Sequence, residues 1–269
     1  MRFALICLIV ISVALGSGGG IALAGDGDAM AKWSRSFEEG RAQFYAGQAE
    51  KARLILLSGL KDGRVIKHED DRFIRHLTLL GASLFMQHRY KEAIPYYREA
   101  FLRMASLPTS CHPDPRVIFV ARSRLGQCLY SQKRYGEAIK QFKQALRVEG
   151  KGITEDDRAE CFRGLADSNF ASNDYIEAEK YYELALVHAS RSEIRSSNSY
   201  TQDILAQLAY LKARRMELDV ATGYLERARK ALEASPGNAG QAARLDELAD
   251  YIAKARDYKG SLARWKGAR

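Results

Sequence analysis

Small and large apolar residues alternate along this chain at spacings that are typical of paired amphipathic helices. In the stretch 124–148, Gly126 is followed by Tyr135, Ala138, Phe142 and Ala145. The last three residues are spaced i, i+4, i+7 and therefore lie on one face of a helix. The polar residues just before Tyr135 leave room only for a tight turn. This stretch predicts two short helices that pack against each other.

The same pattern occurs five times in register. The copies begin at residues 40, 81, 126, 166 and 209, so the intervals between them are 41, 45, 40 and 43 residues. Five matches at a nearly constant period strongly predict a repeat architecture, whereas a single match would be weak evidence. The residues that carry the other four copies are Gly40, Ala49, Ala52, Leu56 and Gly59; Gly81, Leu84, Tyr90, Ala93, Tyr97 and Ala100; Ala166, Tyr175, Ala178, Tyr182 and Ala185; and Ala209, Leu218, Ala221, Leu225 and Ala228.

Three of the copies, those that begin at Gly81, Gly126 and Ala166, resemble the tetratricopeptide repeat. The resemblance covers residues 34–233 and implies an all-α, right-handed α-solenoid of about five helix-turn-helix units. The period of about 42 residues exceeds the 34 that is usual in this family. It is similar to the long-helix subtype found in kinesin light chains.

Interruptions of the pattern predict the loops and helix starts. Lys61–Arg64 is predicted to be a turn, and the proline-rich stretch 106–115 cannot be helical because proline fixes φ and lacks an N–H donor. Asp114 precedes a proline and is predicted to cap the next helix. Thr154 and Asp157 resemble a capping box.

The last 36 residues, 234–269, are predicted to form a loop and a C-terminal helix with a basic tail. Gln241–Trp265 places apolar residues on one face and charged residues elsewhere, which indicates an amphipathic helix. A stack of repeats leaves an apolar face exposed at its end. We therefore expect this helix to cap the solenoid.

Residues 1–24 have the features of a secretory signal peptide. Arg2 precedes an apolar run, and Ala22 and Ala24 form the small-x-small end that precedes a cleavage site. Cleavage would leave 25–33 as a short polar segment before the first helix. The alternative is an uncleaved membrane anchor, because the run is about long enough to cross a bilayer. Either interpretation predicts that the repeats are exported and are periplasmic or secreted.

The chain is moderately basic, with 42 Lys and Arg against 33 Asp and Glu and a net charge of +9. Outside the cytoplasm, this balance favours anionic surfaces or an acidic protein partner over nucleic acid. A solvated surface without a partner is the alternative.

Three cysteines follow the signal segment and allow at most one disulfide within the chain. Cys128 and Cys161 lie on neighbouring first helices with an axial offset of about 10 Å. A disulfide and two buried thiols both remain open, and this offset favours the thiols. Cys111, His112 and Asp114 share the proline-rich loop, which is either a linker or a contact for a partner or metal. Three ligands this close together do not readily complete a tetrahedral site.

No catalytic motif is present in the sequence. The chain has no phosphate-binding glycine loop, no GxSxG, no HExxH and no paired CxxC. We therefore predict a non-catalytic protein with no cofactor and no metal site.

The resemblance implies that the first helix of each unit lines an inner groove. It also implies that the residue four positions after each origin points inward, and this residue is aromatic in four of the five copies. Such a series could hold an extended peptide or a partner helix, or it could fill space between long helices. Arg163 and Arg214 are the cations that could meet carboxylates of an acidic ligand. The predicted partner-binding residues are Phe44, Phe85, Gln127, Tyr130, Arg163, Phe170, Tyr210 and Arg214.

The predicted function is protein–protein interaction through the concave groove. The alternative is a structural, envelope-associated protein that holds anionic polymer or lipid through its basic surface.

Overall fold

The computed structural model describes residues 24–66, 71–192, 197–234 and 239–267. Within these ranges the chain forms eleven α-helices and one short 3-10 turn, Thr109–Cys111, and no strand. The predicted all-α fold is confirmed. The helices are α1 Ala24–Tyr45, α2 Ala49–Val65, α3 Arg72–Met86, α4 Tyr90–Ala105, α5 Pro115–Ser131, α6 Tyr135–Leu146, α7 Glu155–Ala171, α8 Tyr175–Arg191, α9 Ser197–Arg214, α10 Leu218–Ala234 and α11 Ala239–Gly267.

The first ten helices form five consecutive antiparallel pairs, one for each copy of the sequence pattern. Each odd-numbered helix approaches the next odd-numbered helix to within 8 Å between Cα atoms, whereas the even-numbered helices of the described ranges stay further apart. Long side chains bridge that wider gap. Arg64 of α2 lies 2.6 Å from Glu99 of α4, and Arg98 lies 2.8 Å from Glu137 of α6. The odd-numbered helices are therefore the crowded inner layer of a curved stack.

The turn inside each pair has the same left-handed residue. Gly47, His88, Lys133, Asn173 and Met216 have φ between 57° and 76°. They are separated by the same intervals as the five sequence copies, which confirms the repeat register. Four of these residues are not glycine, so they adopt a backbone conformation that carries a steric cost for a side chain.

Small residues at the repeat origins allow large side chains to cross beneath the inner helices. A Cβ atom at Gly81 would lie 2.9 Å from Cζ of Tyr97. The ring of Phe142 is enclosed from two sides, because a Cβ at Gly126 would meet it at 2.8 Å and a Cβ at Gly164 at 2.5 Å. These contacts explain the alternation of small and large residues in the repeat.

The first repeat differs from its prediction. Helix α1 begins at Ala24, so the segment 25–33 is helical, and Trp33 at its end is fully buried. Helix α2 continues to Val65, so the turn predicted at Lys61–Arg64 is wrong. A Cβ at Gly63 would lie 2.6 Å from the Trp33 ring. This glycine therefore permits close packing within a helix and does not mark a turn.

The predicted helix caps are confirmed. The Arg116 amide donates to Oδ1 of Asp114, 2.9 Å away, and Pro115 occupies the first turn. The Thr154 hydroxyl and the Asp157 carboxylate accept reciprocally from each other's backbone amides. In the proline-rich loop, His112 Nε2 lies 3.2 Å from the carbonyl oxygen of Leu107. This bond and the Asp114 cap give the loop a structural role.

Helix α11 covers the end of the array, as predicted. Leu245, Leu248 and Ile252 are buried in one cluster with Leu218 and Leu225 of α10. The apolar face left by the fifth pair is therefore closed by a helix from the same chain.

The predicted signal segment, apart from Ala24, lies outside the described residues. In the part of the chain that the structure describes, no helix is both long and apolar enough to cross a bilayer. Cys128 and Cys161 are buried free thiols. The interpretation that favoured two thiols over a disulfide is therefore confirmed.

Candidate functional site

The inner helices enclose a groove of about 880 Å³. Its walls come from α1, α3, α5 and α7, and Tyr97 reaches it from α4. Both apolar and charged side chains line it, which suits a ligand with both characters. The helix residues that define it include Phe37, Arg41, Phe44, Arg72, Arg75, Leu79, Ala82, Val117, Val120, Arg124, Gln127, Asp157 and Glu160.

Carboxylates of the protein already hold several of the groove cations. Arg41 lies 2.6 Å from Glu38, and Arg116 lies 2.9 Å from Asp157. Burial raises the pKa of Asp157, but hydrogen bonds from Arg116 and Thr154 outweigh burial and leave the pKa below its ordinary value. The Arg116 pair therefore ties the start of α5 to the start of α7 and fixes the groove at that end.

Two of the eight predicted binding residues, Phe44 and Gln127, line this groove. The Phe44 ring is half-buried and meets Tyr45 edge-on at 5.7 Å between centroids. The Gln127 side chain donates from Nε2 to Oε1 of Glu160, 2.9 Å away. Gln127 therefore links α5 to α7 as well as facing the groove.

Tyr130 and Arg163 lie near a carboxylate further along the inner layer. Arg163 Nη1 is 3.2 Å from Oδ2 of Asp167, and the Tyr182 hydroxyl donates to Oδ1 of the same carboxylate at 2.6 Å. The pKa of Tyr130 is raised, mainly by burial and then by the charge of Asp167. Arg163 is predicted to meet a ligand carboxylate, but in the structure it already pairs with the carboxylate of Asp167.

Phe170, Tyr210 and Arg214 form a separate cluster at the C-terminal end. Phe170 contacts Tyr175 at 5.4 Å and Tyr210 at 5.8 Å between ring centroids. The Arg214 guanidinium carbon is 3.9 Å from the centroid of Tyr175, and Tyr210 also contacts Tyr251 of α11. The cluster joins the fourth repeat, the fifth repeat and the cap by stacking and cation–π contacts.

The predicted aromatic series has packing partners inside each unit. Phe85 lies 5.4 Å from Tyr90, and Tyr130 lies 5.6 Å from Tyr135, in each case across the turn of its own repeat. Ala213, at the same position in the fifth repeat, is buried. These rings therefore close turns, and this structural role accounts for aromatic residues at the position whether or not a ligand binds.

The sequence pattern assigned Tyr97 to the core and gave Arg124 no role. The structure buries the Tyr97 ring completely, yet Tyr97 and Arg124 both border the groove. Helical spacing could have placed Arg124 on the inner face. Only the packing of α4 beneath Gly81 shows that Tyr97 extends to the groove.

Among the described residues, neither metal binding nor chemistry at the two buried thiols is supported. No group of three or more His, Cys, Asp or Glu side chains among them could hold a metal ion. Cys128 and Cys161 are unsuited to nucleophilic chemistry because burial raises the pKa of each thiol to about 12.

Comparison with known proteins identifies the repeats. Residues 117–187 match the family model of the tetratricopeptide repeat. The match covers 71 of the 269 residues, and together with the fold it confirms the predicted resemblance to tetratricopeptide repeats. No curated protein matches the sequence.

Several solved structures share the fold at low sequence identity. The apo form of RapI is 15% identical, with a TM-score of 0.63 over 87% of this chain and 65% of RapI, so the chain spans about two thirds of that protein. The kinesin-light-chain TPR-like repeats of Podosopora anserina are 16% identical, with a TM-score of 0.55 over 76% of this chain and 97% of that one. PilF of Pseudomonas aeruginosa is 20% identical, with a TM-score of 0.53 over 91% of this chain and all of PilF. These likenesses show that the chain has the fold of a helical repeat solenoid.

Proposed function

We propose that this protein binds an extended segment of a partner protein in the groove formed by α1, α3, α5 and α7. The observation that carries the proposal is the composition of this groove on the inner, crowded layer of the stack. Its apolar residues, such as Leu79 and Val120, lie among arginines and carboxylates. Apolar residues would supply affinity for such a segment, and the polar groups would set its register.

The rigidity of the groove supports this function. Arg116 and Asp157 connect α5 to α7, as do Gln127 and Glu160. A groove whose walls are already fixed loses less conformational entropy when a ligand binds, so more of the contact energy contributes to affinity. The role is that of a scaffold without catalysis, which agrees with the tetratricopeptide repeat class.

The proposed location of this activity is outside the cytoplasm, either periplasmic or secreted. The proposal rests on the sequence features of residues 1–24, namely the basic start, the apolar run and the Ala22-x-Ala24 end. Fractionation of cells that produce the full chain with a C-terminal tag tests it. Recovery of a product starting at Gly25 in the periplasm or medium supports export, and recovery of full-length chain in the cytosol refutes it.

A photo-crosslinking experiment tests the groove. Val120 lies in the groove, whereas Ile176 on the outer helix α8 is 79% exposed and is the matched control. A benzophenone amino acid replaces one or the other, and the protein is irradiated in an envelope extract. We expect the Val120 position to give a discrete protein adduct that the Ile176 position does not give. Adducts that are the same at both positions would refute groove binding.

The alternative of an envelope protein that holds anionic polymer or lipid gives a different result in the same extract. Retention would then be lost in high salt, because exposed charges are screened, and it would not depend on groove residues. Replacing Phe44 and Val120 with Ala would leave that retention unchanged.

A further inference from the structure

Arg122 of α5 places a half-buried positive charge in the gap between the outer helices α4 and α6. Its Nη1 donates to the amide oxygens of Gln141 at 3.3 Å and Gln144 at 2.7 Å. Its guanidinium carbon lies 4.3 Å from the centroid of the Phe101 ring. All three partners are neutral. No carboxylate in the described part of the chain forms an ion pair with Arg122, so the residues around it do not balance its charge.

The carboxylates of the two outer helices do not supply a counter-charge because other arginines hold them. The three pairs are Glu92 with Arg89, Glu99 with Arg64, and Glu137 with Arg98. Burial lowers the pKa of Arg122. Taking a charge out of water costs free energy unless the charge is paired. Arg122 is therefore a cation whose surroundings lack a matching anion.

Three other repeats show that packing does not require a cation at this position. Leu77 and Leu205 occupy it in the second and fifth repeats and are buried, and Phe162 occupies it in the fourth. The residue that corresponds to Gln141 is aromatic in the same three repeats, namely Tyr96, Tyr181 and Tyr224. The third repeat thus has a polar pair where these repeats have an aliphatic or aromatic pair. Since packing does not require this polar pair, it points to a ligand.

The polar groups that remain available at this site are donors. A guanidinium can only donate, so the glutamine atoms that face it are the amide oxygens, and each glutamine keeps its NH2 group for another partner. Arg122 keeps the N–H groups of Nε and Nη2, since only Nη1 is used by the described residues. Lys140 and Arg147 are exposed and share one face of α6 with Gln144, because the three are spaced i, i+4, i+7. The site therefore combines hydrogen-bond donors with several positive charges.

We infer that Arg122, Gln141 and Gln144 bind a phosphate group between the outer helices of the second and third repeats. The paired N–H groups of a guanidinium match two oxygens of a phosphate. The charges of Lys140 and Arg147 favour a group with more than one negative charge, which a phosphate has and a carboxylate lacks. The phosphate is either free in solution or exposed on a lipid headgroup. Neither Arg122 nor the two glutamines line the groove, so the inference does not rest on the proposed function.

Inorganic phosphate is the first probe. Its binding to the full chain is measured from the broadening of its phosphorus NMR signal, at constant ionic strength. We expect saturable binding that acetate and chloride displace only weakly, because neither carries a second charge. Arg122→Leu should raise the dissociation constant of phosphate about tenfold or more, which is the range for hydrogen bonds to a charged group.

Two further variants assign the effect to this site. Arg122→Leu combined with Gln141→Tyr recreates the pair that Leu77 and Tyr96 form in the second repeat. This double variant should therefore fold, unfold at a higher temperature without phosphate, and fail to bind phosphate. Arg227→Leu is the matched control, since Arg227 is an exposed arginine of α10 whose guanidinium carbon lies 5.4 Å from the Tyr224 ring centroid. It should leave phosphate binding unchanged.

Vesicles of phosphatidylcholine, with and without phosphatidic acid, distinguish the two sources of phosphate. If the protein floats with the phosphatidic acid vesicles and Arg122→Leu abolishes this, the ligand is a headgroup. If it binds inorganic phosphate but not these vesicles, the ligand is soluble. Unchanged binding of both probes by Arg122→Leu would overturn the inference. Equal losses in Arg122→Leu and Arg227→Leu would also overturn it, because they would indicate general charge attraction. Displacement of phosphate by acetate at equal concentration would refute the preference for phosphate.

Discussion

The enclosure of Phe142 between two glycines gives a prediction about stability. Gly164→Ala would place a Cβ 2.5 Å from Cζ of this ring. The ring cannot move away, since Gly126 of α5 confines it from another side at 2.8 Å. Overpacking a core by one methyl group destabilises the fold by about 1–3 kcal/mol. Alanine favours the helix over glycine by about 1 kcal/mol, which offsets part of that cost. We expect a net destabilisation of up to about 2 kcal/mol.

Gly223 provides a matched control for the same substitution. It lies inside α10, and a Cβ there would meet nothing within 4 Å. Gly223→Ala should therefore raise the free energy of unfolding by about 0.5–1 kcal/mol, because alanine favours a helix more than glycine does. The two chemically identical changes should shift stability in opposite directions. Urea unfolding followed by far-UV circular dichroism measures both against the unaltered protein.

A second substitution identifies the cause. Phe142→Leu removes the ring edge that the new Cβ would strike, so it should cost less in the Gly164→Ala protein than in the unaltered protein. This difference is the coupling free energy of the double-mutant cycle. If Gly164→Ala is as stabilising as Gly223→Ala, or if the coupling free energy is zero, contact with the Phe142 ring does not determine the effect of the substitution on stability.

Three further predictions concern the left-handed turns, the core and the thiols. Lys133→Gly should raise the free energy of unfolding by about 1 kcal/mol, since Lys133 has φ 58°; an unchanged urea midpoint would contradict this. Gln202 is buried and neither polar atom of its amide has a hydrogen-bond partner, so Gln202→Met should stabilise the protein by about 1–3 kcal/mol, and a loss on calorimetry would count against it. Cys128 and Cys161 have a thiol pKa of about 12 when folded and 9.0 when exposed. The contribution of the buried, neutral thiols to the free energy of unfolding is complete below pH 9. It declines as pH rises towards 12, by about 1.4 kcal/mol per thiol for each pH unit. Replacing both with Ala should flatten this alkaline decline in urea titrations, and an identical slope would refute it.

The periodic pattern predicted most of the fold because one packing rule repeats along the chain. A small residue at each origin and a large residue sixteen positions later recur, and the structure shows that Gly81 and Gly126 contact Tyr97 and Phe142. Caps at Asp114 and Thr154 were also predictable, since they depend on residues within one turn. Local chemistry and periodicity thus determine the middle of the array.

The first repeat was less predictable because its glycine has a non-local role. Gly63 looks like a turn residue in the sequence, but it stands against Trp33 on another helix. The same limitation applies to the candidate site. Tyr97 stands at a packing position in the sequence pattern, and only its place beneath Gly81 shows that it borders the groove. The predicted eight binding residues fell at several places because the inner face is long and only part of it forms this groove.

The shared left-handed residue of the turns has a practical consequence. His88, Lys133 and Asn173 occupy the same place in successive repeats, and all three side chains are exposed. They form a row of equivalent attachment points along one edge of the array. Spectroscopic labels placed on pairs of them would report the distance between consecutive repeats in solution. A change in those distances when a partner is added would reveal whether the array tightens around its ligand or receives it as a rigid frame.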